Sequence, residues 1–351
     1  MRANRKGENL VTWQRLNAFV ISCVFFSLML SSSGHAQGNF NFRRPGGLPS
    51  PQAAAKRNVG LPQPETSYTY TLFDFPGSLS AFGDGIDVSG TLSKIEIVGG
   101  YVVGDSSVSN GSFLMHYTAG KTKTTESYQN IAVPFAAAGA FQDAEGVNKA
   151  GNIVGTYKDA SGNVHGWELI GTTFSTIDVP FQNAIFTYAS GINDSGEIVG
   201  HWGTNSTTQG YTLINGTYTS INYPGADFTD VWAVNNKGDL GGDYYDPGSG
   251  MLHGMTEIGG VFATVDPPGS IYGEVNGLDD HGNAVGWFCT TEECTEDGLG
   301  AQGFLYSGGT FTIFSFPGAN YTLLSGINNA GVLLGDYADA AGNAHSFLAT
   351  P

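Results

Sequence analysis

The chain has 351 residues, 52 of them glycine, and 31 acidic side chains against 14 basic ones give it a formal net charge of −17. That balance excludes nucleic acid and anionic lipid as natural partners, since neither offers a charge for this surface to neutralise. No segment after the N-terminal region carries a helical stripe, which leaves an all-β protein as the expectation.

Arg2, Arg5, Lys6 and Arg15 precede an apolar stretch from Leu16 to Leu30, and Gly34-His35-Ala36 offers small residues where a signal peptidase looks. Residues 1–36 are therefore expected to be a signal peptide, with a mature start at Gln37. Asn17, Ser22 and Ser27 interrupt the stretch, which is short for a retained span, and no second candidate span follows. Residues 37–66 are rich in Gly, Pro and Gln, carry Arg43, Arg44, Lys56 and Arg57, and are expected to be a flexible linker. From Thr66 onward 29 acidic residues face six lysines, leaving about 23 formal negative charges on the domain expected at 67–351.

That domain is built of repeats. Gly146-Val-Asn-Lys-Ala-Gly-Asn-Ile-Val-Gly-Thr-Tyr157 recurs as Gly191-Ile-Asn-Asp-Ser-Gly-Glu-Ile-Val-Gly-His-Trp202 and as Gly326-Ile-Asn-Asn-Ala-Gly-Val-Leu-Leu-Gly-Asp-Tyr337, with weaker copies near Gly85, Ala233 and Gly277. A proline turn marks each unit at Pro76, Pro134, Pro180, Pro224, Pro268 and Pro317, with spacings of 58, 46, 44, 44 and 49 residues. A period near 45 suits a four-stranded propeller blade. Within one unit, alternation and turn residues predict strands over 165–170, 174–178, 184–189 and 197–202.

Six such sheets around an axis bury the faces that one sheet would leave bare. The ends of the chain fit that closure. His345–Thr350 reads as a first strand and Tyr70–Asp74 as a second, so the two together complete one blade and remove the open edges. The prediction is a six-bladed β-propeller of four-stranded blades, closed by its N- and C-terminal strands. An open β-solenoid is the weaker alternative, because 45 residues exceed one coil.

The Gly-Ile-Asn…Ile-Val-Gly signal and its His-Gly-Phe-like companion resemble the HAF repeat family of extracellular proteins. The naming tripeptide occurs here in varied form as His165-Gly-Trp167, His253-Gly-Met255 and His345-Ser-Phe347, with Gln replacing His at Gln209-Gly-Tyr211 and Gln302-Gly-Phe304. The resemblance implies an exported repeat protein and brings no catalytic residues with it.

Several residues are candidates for function. His165, His253 and His345 would stand 120 degrees apart, too far for one metal unless all three reached the axis, and are expected to secure adjacent turns. Asp159-Ala-Ser-Gly-Asn163 and Asp339-Ala-Ala-Gly-Asn343 read as Asx-turns; calcium is the one cation they suggest, with too few oxygens for a calcium loop, and no cofactor is expected. The residue after the fourth-strand glycine varies as Asp105, Thr156, His201, Asp243, Trp287 and Asp336. A ring of that kind at one end of the disc would suit sugars, with Asp230 and Trp232, and Glu274 and Asn276, adding to it. His201, Trp232, Asp243, Trp287 and Asp336 are accordingly the expected ligand-binding set. Were the protein an enzyme, Asp105, Asp243, Glu274 and Asp336 would be its acids and bases.

No nucleophile elbow, zinc-protease pair, Walker loop or dinucleotide fingerprint occurs. Cys23 falls in the signal peptide, and Cys289 and Cys294, five apart, are expected to form a local disulfide in an oxidising compartment. The sequence thus predicts a secreted, periplasmic or cell-surface propeller acting as a binding or structural module toward a glycan or an extracellular protein. A glycan-active hydrolase or lyase using carboxylates at the channel is the alternative, and the oligomeric state stays open.

Overall fold

A computed structural model describes residues 68–104, 109–120 and 124–351. The expected signal peptide, the expected linker and Asp105 lie outside the described residues. The chain forms a six-bladed β-propeller. Blade 1 is β2 (Ser80–Ile86), β3 (Lys94–Val102), β4 (Gly111–Ala119) and β5 (Thr124–Ile131); blade 2 is β6 (Gln142–Val147), β7 (Ile153–Lys158), β8 (Val164–Ile170) and β9 (Thr173–Ile177). In blade 3 the inner strand is split into β10 (Phe186–Thr187) and β11 (Gly191–Ile192), followed by β12 (Ile198–Gly203), β13 (Thr208–Ile214) and β14 (Thr217–Ile221). Blade 4 is β15 (Phe228–Val234), β16 (Leu240–Asp246), β17 (Met251–Ile258) and β18 (Val261–Thr264). Blade 5 is β19 (Tyr272–Leu278), β20 (Ala284–Cys289), β21 (Gln302–Ser307) and β22 (Thr310–Phe314).

Blade 6 contains β23 (Thr322–Ile327), β24 (Leu333–Ala338) and β25 (Ala344–Thr350), and its outer strand is β1 (Thr69–Phe73) from the other end of the chain. All five residues of β1 pair antiparallel with β25, from Thr69 opposite Thr350 to Phe73 opposite Ser346. Tyr70 packs edge-on against Phe316 and Phe347, which adds an aromatic seal to the closure.

The predicted unit needs one correction. It joins two outer strands of one blade to two inner strands of the next, so the hydrogen-bonded sheet is displaced from it by two strands. The proline turns therefore run between blades, from the outer edge of one to the axis of the next.

Two repeated residues set the packing. A Cβ on the glycine of the second strand (Gly99, Gly155, Gly200, Gly242, Gly286 or Gly335) would stand 1.8–2.4 Å from an inner-strand carbonyl oxygen, so only glycine fits. The space beside it holds the large side chain of the third strand, Phe113, Trp167, Tyr211, Met255, Phe304 or Phe347, each fully buried. Each such burial contributes about 2–3 kcal/mol. The third residue of the His-Gly-Phe-like motif is thus a core anchor.

The Gly-Ile-Asn motif builds one end of the axis. Asn148, Asn193 and Asn235 accept two or more backbone N–H bonds within their own turns. Each then donates its amide to a carbonyl of the next blade, at Asn193, Asn235 and Asp279, over 2.9–3.0 Å. The residues that follow interlock as well: the backbone N–H groups of Lys149, Asp194, Asn236 and Asp280 bind the side chains of Asp194, Asn236, Asp280 and Asn329 in turn. Ser89 of blade 1 reaches Asp194 of blade 3 and Asn236 of blade 4, so polar side chains meet across the axis at this end.

Candidate functional site in the central channel

The inner strands carry a β-bulge where they converge. Pairing shifts register at Gly83/Gly85, Ala144/Gly146, Val231/Ala233, Val275/Gly277 and Leu324/Gly326, and blade 3 is broken at the same place, between β10 and β11. A bulge re-aims the extra side chain. Here the six extra residues are Asp84, Glu145, Ser190, Trp232, Asn276 and Ser325, and all of them line the axial cavity. Among the described residues no basic side chain joins them.

The cavity measures about 100 Å³, with a further space of about 50 Å³ running toward the Asn-lined end. Trp287, Asp336, Tyr321 and Phe82 widen its other mouth. There it meets a helix, α1 (Glu292–Asp297), inserted between β20 and β21, which contributes Cys294 and Thr295 to the lining. This short helix was not foreseen in the sequence. Thr291 caps it by accepting from the Cys294 N–H at 3.2 Å, Gly298 ends it in a left-handed conformation, and Glu292 and Glu293 suit its N-terminus. The Cys289–Cys294 disulfide fastens it to the end of β20.

Two buried acidic clusters surround the bulge ring. On the blade 1 and 2 side, the Asp84 and Asp143 carboxyls adjoin each other beside Glu145, and Gly100 N donates to Asp84 Oδ2 at 3.2 Å. Burial first, then neighbouring carboxylates, hold Asp84 and Asp143 well above the usual carboxylate range. Burial pushes Glu145 up to about 7. The Thr156 and Ser190 hydroxyls approach Glu145 and pull it the other way, but neither reaches hydrogen-bonding geometry. Asp336, also raised to about 7 by burial, accepts from Gly83 N at 3.0 Å and Ser346 Oγ at 2.6 Å.

The second cluster joins Asp230, Asp243 and Glu274. Trp232 Nε1 donates to Asp243 Oδ1 at 2.6 Å, Trp287 Nε1 to Glu274 Oε2 at 3.1 Å, and the Tyr272 hydroxyl also donates to Glu274. Burial raises all three carboxyls, Glu274 to about 7. His201 sits between Tyr188 and Trp232, and burial lowers it to about 3, so it is neutral.

The structure places the predicted ring differently from the sequence. Its members are interior side chains: Thr156, His201, Asp243, Trp287 and Asp336 are between 0% and 6% exposed. Only Trp287 and Asp336 reach the cavity, joined there by Trp232; Glu274 supports Trp287 from behind, and Asp243 supports Trp232. In blade 1 the position equivalent to Thr156 is Gly100, because β3 pairs Gly99 opposite Gly83. The Asp143 carboxylate occupies the space that a Gly100 side chain would need.

The remaining candidates lie away from the axis. His165 Nδ1 binds Asp178 Oδ1 at 2.7 Å, His253 Nδ1 binds Asp266 Oδ2 at 2.5 Å, and His345 Nδ1 binds Asp74 Oδ2 at 2.9 Å, each beneath a stacked or tilted tyrosine. Each histidine thus secures its own blade's approach to the proline turn. Asp159 and Asp339 fold as Asx-turns, with one carboxylate oxygen accepting two backbone N–H bonds at 2.8–2.9 Å. Asp84, Asp143, Glu145 and Ser190 were absent from the sequence candidates. The signal for the bulge residues was present: each stands immediately before the small residue that opens the Gly-Ile-Asn motif.

No family model and no curated protein matches the sequence. Solved structures resemble it at low identity. AofleA from Arthrobotrys oligospora is 9% identical with a TM-score of 0.47, covering 81% of this chain and 86% of that one. The sialidase of Trypanosoma rangeli in complex with the inhibitor DANA is 9% identical with a TM-score of 0.48, covering 77% and 55%. A fungal lectin, the Aleuria aurantia lectin, with a six-bladed β-propeller fold and a fucose recognition mode, is 10% identical with a TM-score of 0.38, covering 68% and 88%. At these levels the likeness says nothing about what this chain binds. Among the described residues no helix is long and apolar enough to cross a membrane.

Proposed function

We propose that the protein is an exported binding module, of the HAF-repeat type, that holds a glycan by taking one of its residues into the α1 side of the central channel. The observation that carries this reading is the axial cavity itself. Every blade sends a side chain into it from a rigid bulge, and two indoles and several hydrogen-bonding groups line it, the combination that a sugar's C–H face and hydroxyls require. A cavity of about 100 Å³ takes the tip of a ligand, not a chain. Export rests on the leader pattern and on the disulfide, which needs an oxidising compartment. Mass analysis of the exported protein should find a start at Gln37.

A glycan panel screened with the purified mature protein, with products followed by mass spectrometry, tests the reading. Binding without turnover supports it. A blank panel contradicts it and leaves a protein partner or a structural role. One observation favours hydrolysis as a second reading: Asp84, pushed well above the usual carboxylate range by burial and neighbouring carboxylates, lines the same cavity as Glu145 and Asp336, both raised to about 7. Under that reading products appear, and Glu145→Gln lowers their rate by about 100-fold or more.

A further inference from the structure

The polar groups of the channel are unevenly matched. Three donors of its lining are already engaged, Trp232 Nε1 on Asp243, Trp287 Nε1 on Glu274 and Ser325 Oγ on the Gly83 carbonyl, and the Asn276 amide lies beside Glu274. Apart from the Ser190 hydroxyl, which can donate or accept, what remains is acceptor capacity. Ser190 Oγ, on a residue only 5% exposed, has no hydrogen-bond partner and lines the cavity, as does Asn276 Oδ1. Asp84 and Glu145 add carboxylate oxygens in the same ring, with no cation among the described lining residues to meet them. Buried acceptors without donors are costly, and a ligand that brings N–H donors together with positive charge satisfies both needs.

Trp232 and Trp287 distinguish among cations. A hard metal ion needs six or more oxygens, and among the described residues no three metal-ligating side chains converge on one point. An ammonium group instead gains from indole faces as well as from acceptors, and suits a narrow pocket. We propose that the group entering the α1-side mouth of the channel is a protonated amine, held by Asp84, Glu145, Ser190 Oγ and Asn276 Oδ1 against Trp232 and Trp287. Resting on the glycan reading, this makes the ligand class a glycan with free amino groups, such as glucosamine residues.

Calorimetric titration of the mature protein near neutral pH, at fixed ionic strength, tests this with four probes: glucosamine tetramer, N-acetylglucosamine tetramer, butylammonium chloride and calcium chloride. The proposal expects the glucosamine tetramer to bind at least about 10-fold tighter than its acetylated counterpart, with butylammonium competing for the same site. Glu145→Gln, and independently Asp84→Asn should the first fail to fold, should bring the ratio close to one. Equal binding of the two tetramers overturns the amine assignment and leaves the glycan reading standing. Butylammonium binding without either tetramer upholds the amine and removes the glycan. Calcium heat that Glu145→Gln abolishes replaces the amine with a metal ion and overturns the proposal, as does silence from all four probes.

Discussion

The two ends of the channel are built from neighbouring residues of the same repeat and behave in opposite ways. At the Gly-Ile-Asn end, asparagine amides and backbone groups answer one another from blade to blade, and side chains meet over the axis. Three residues before the Asn or Asp of each repeat's turn, at the bulge, the side chains differ in nearly every blade, carboxylates crowd together, and buried acceptors go unanswered. Near-uniformity, with hydrogen bonds satisfied apart from the buried Asn328 amide, marks the end that holds the ring together. Variety with unsatisfied groups marks the end that has something to hold.

The largest effect should come from the closure that both ends depend on. Removing residues 68–74 deletes β1, its five paired residues and the Asp74 partner of His345, and should abolish cooperative unfolding in calorimetry; an unchanged transition would show that the clasp is dispensable. Next comes the uniform end. Asn235 is fully buried and makes four hydrogen bonds within its turn and to blade 5, so Asn235→Ala should lower stability by about 3 kcal/mol while leaving ligand affinity intact. Equal loss of affinity would erase the distinction between the ends.

The acidic end should respond to pH in the opposite sense to ordinary carboxylates. Glu145, Glu274 and Asp336 are raised to about 7 from values of 4.5, 4.5 and 3.8, so the folded chain keeps protons that the unfolded chain gives up between about pH 4 and 7. Stability is then greatest on the acid side of that window and falls as pH rises through it, levelling off above about 7. Asp84, Asp143, Asp230 and Asp243 shift in the same direction. The lowered carboxyls of Asp159, Asp246 and Asp339 act only below about pH 4. Thermal midpoints should therefore be higher near pH 5 than near pH 8, and Glu145→Gln should flatten that slope and raise the midpoint at the alkaline end. A midpoint that climbs with pH would contradict the burial of these acids. The smallest effect is expected at the disulfide: a Cys289→Ser, Cys294→Ser variant closes no loop and should lose at most about 2 kcal/mol, with the change confined to α1 and the channel mouth.

The fold was legible because its constraints repeat. The second-strand glycine admits no Cβ, the Asn turn ties neighbouring blades, and the two chain ends complement each other, so each leaves a mark every 45 residues or so. The phase of the blade was less legible, since hydrogen bonding between strands two turns apart leaves no local trace and the unit was framed across two blades. Alternation also fails at a bulge, which inserts one residue and turns it to the axis; Asp84 and Glu145 escaped notice for that reason. The second-strand ring is legible by position, but its burial is not, because burial of Asp243 and Asp336 runs against their charge and depends on partners from other strands, Trp232 and Ser346. Blade 1 added a register error: the Gly99-Gly100 pair replaces the usual single glycine, and counting from Gly104 led to Asp105.

A crystal structure of the mature protein soaked with glucosamine tetramer tests the asymmetry of the channel most directly. The account predicts one amine nitrogen within about 3 Å of the Glu145 or Asp84 carboxylate, with the rest of the oligomer leaving past α1. Density at the Asn-lined end, or on the outer edges of the blades with the channel empty, would contradict it.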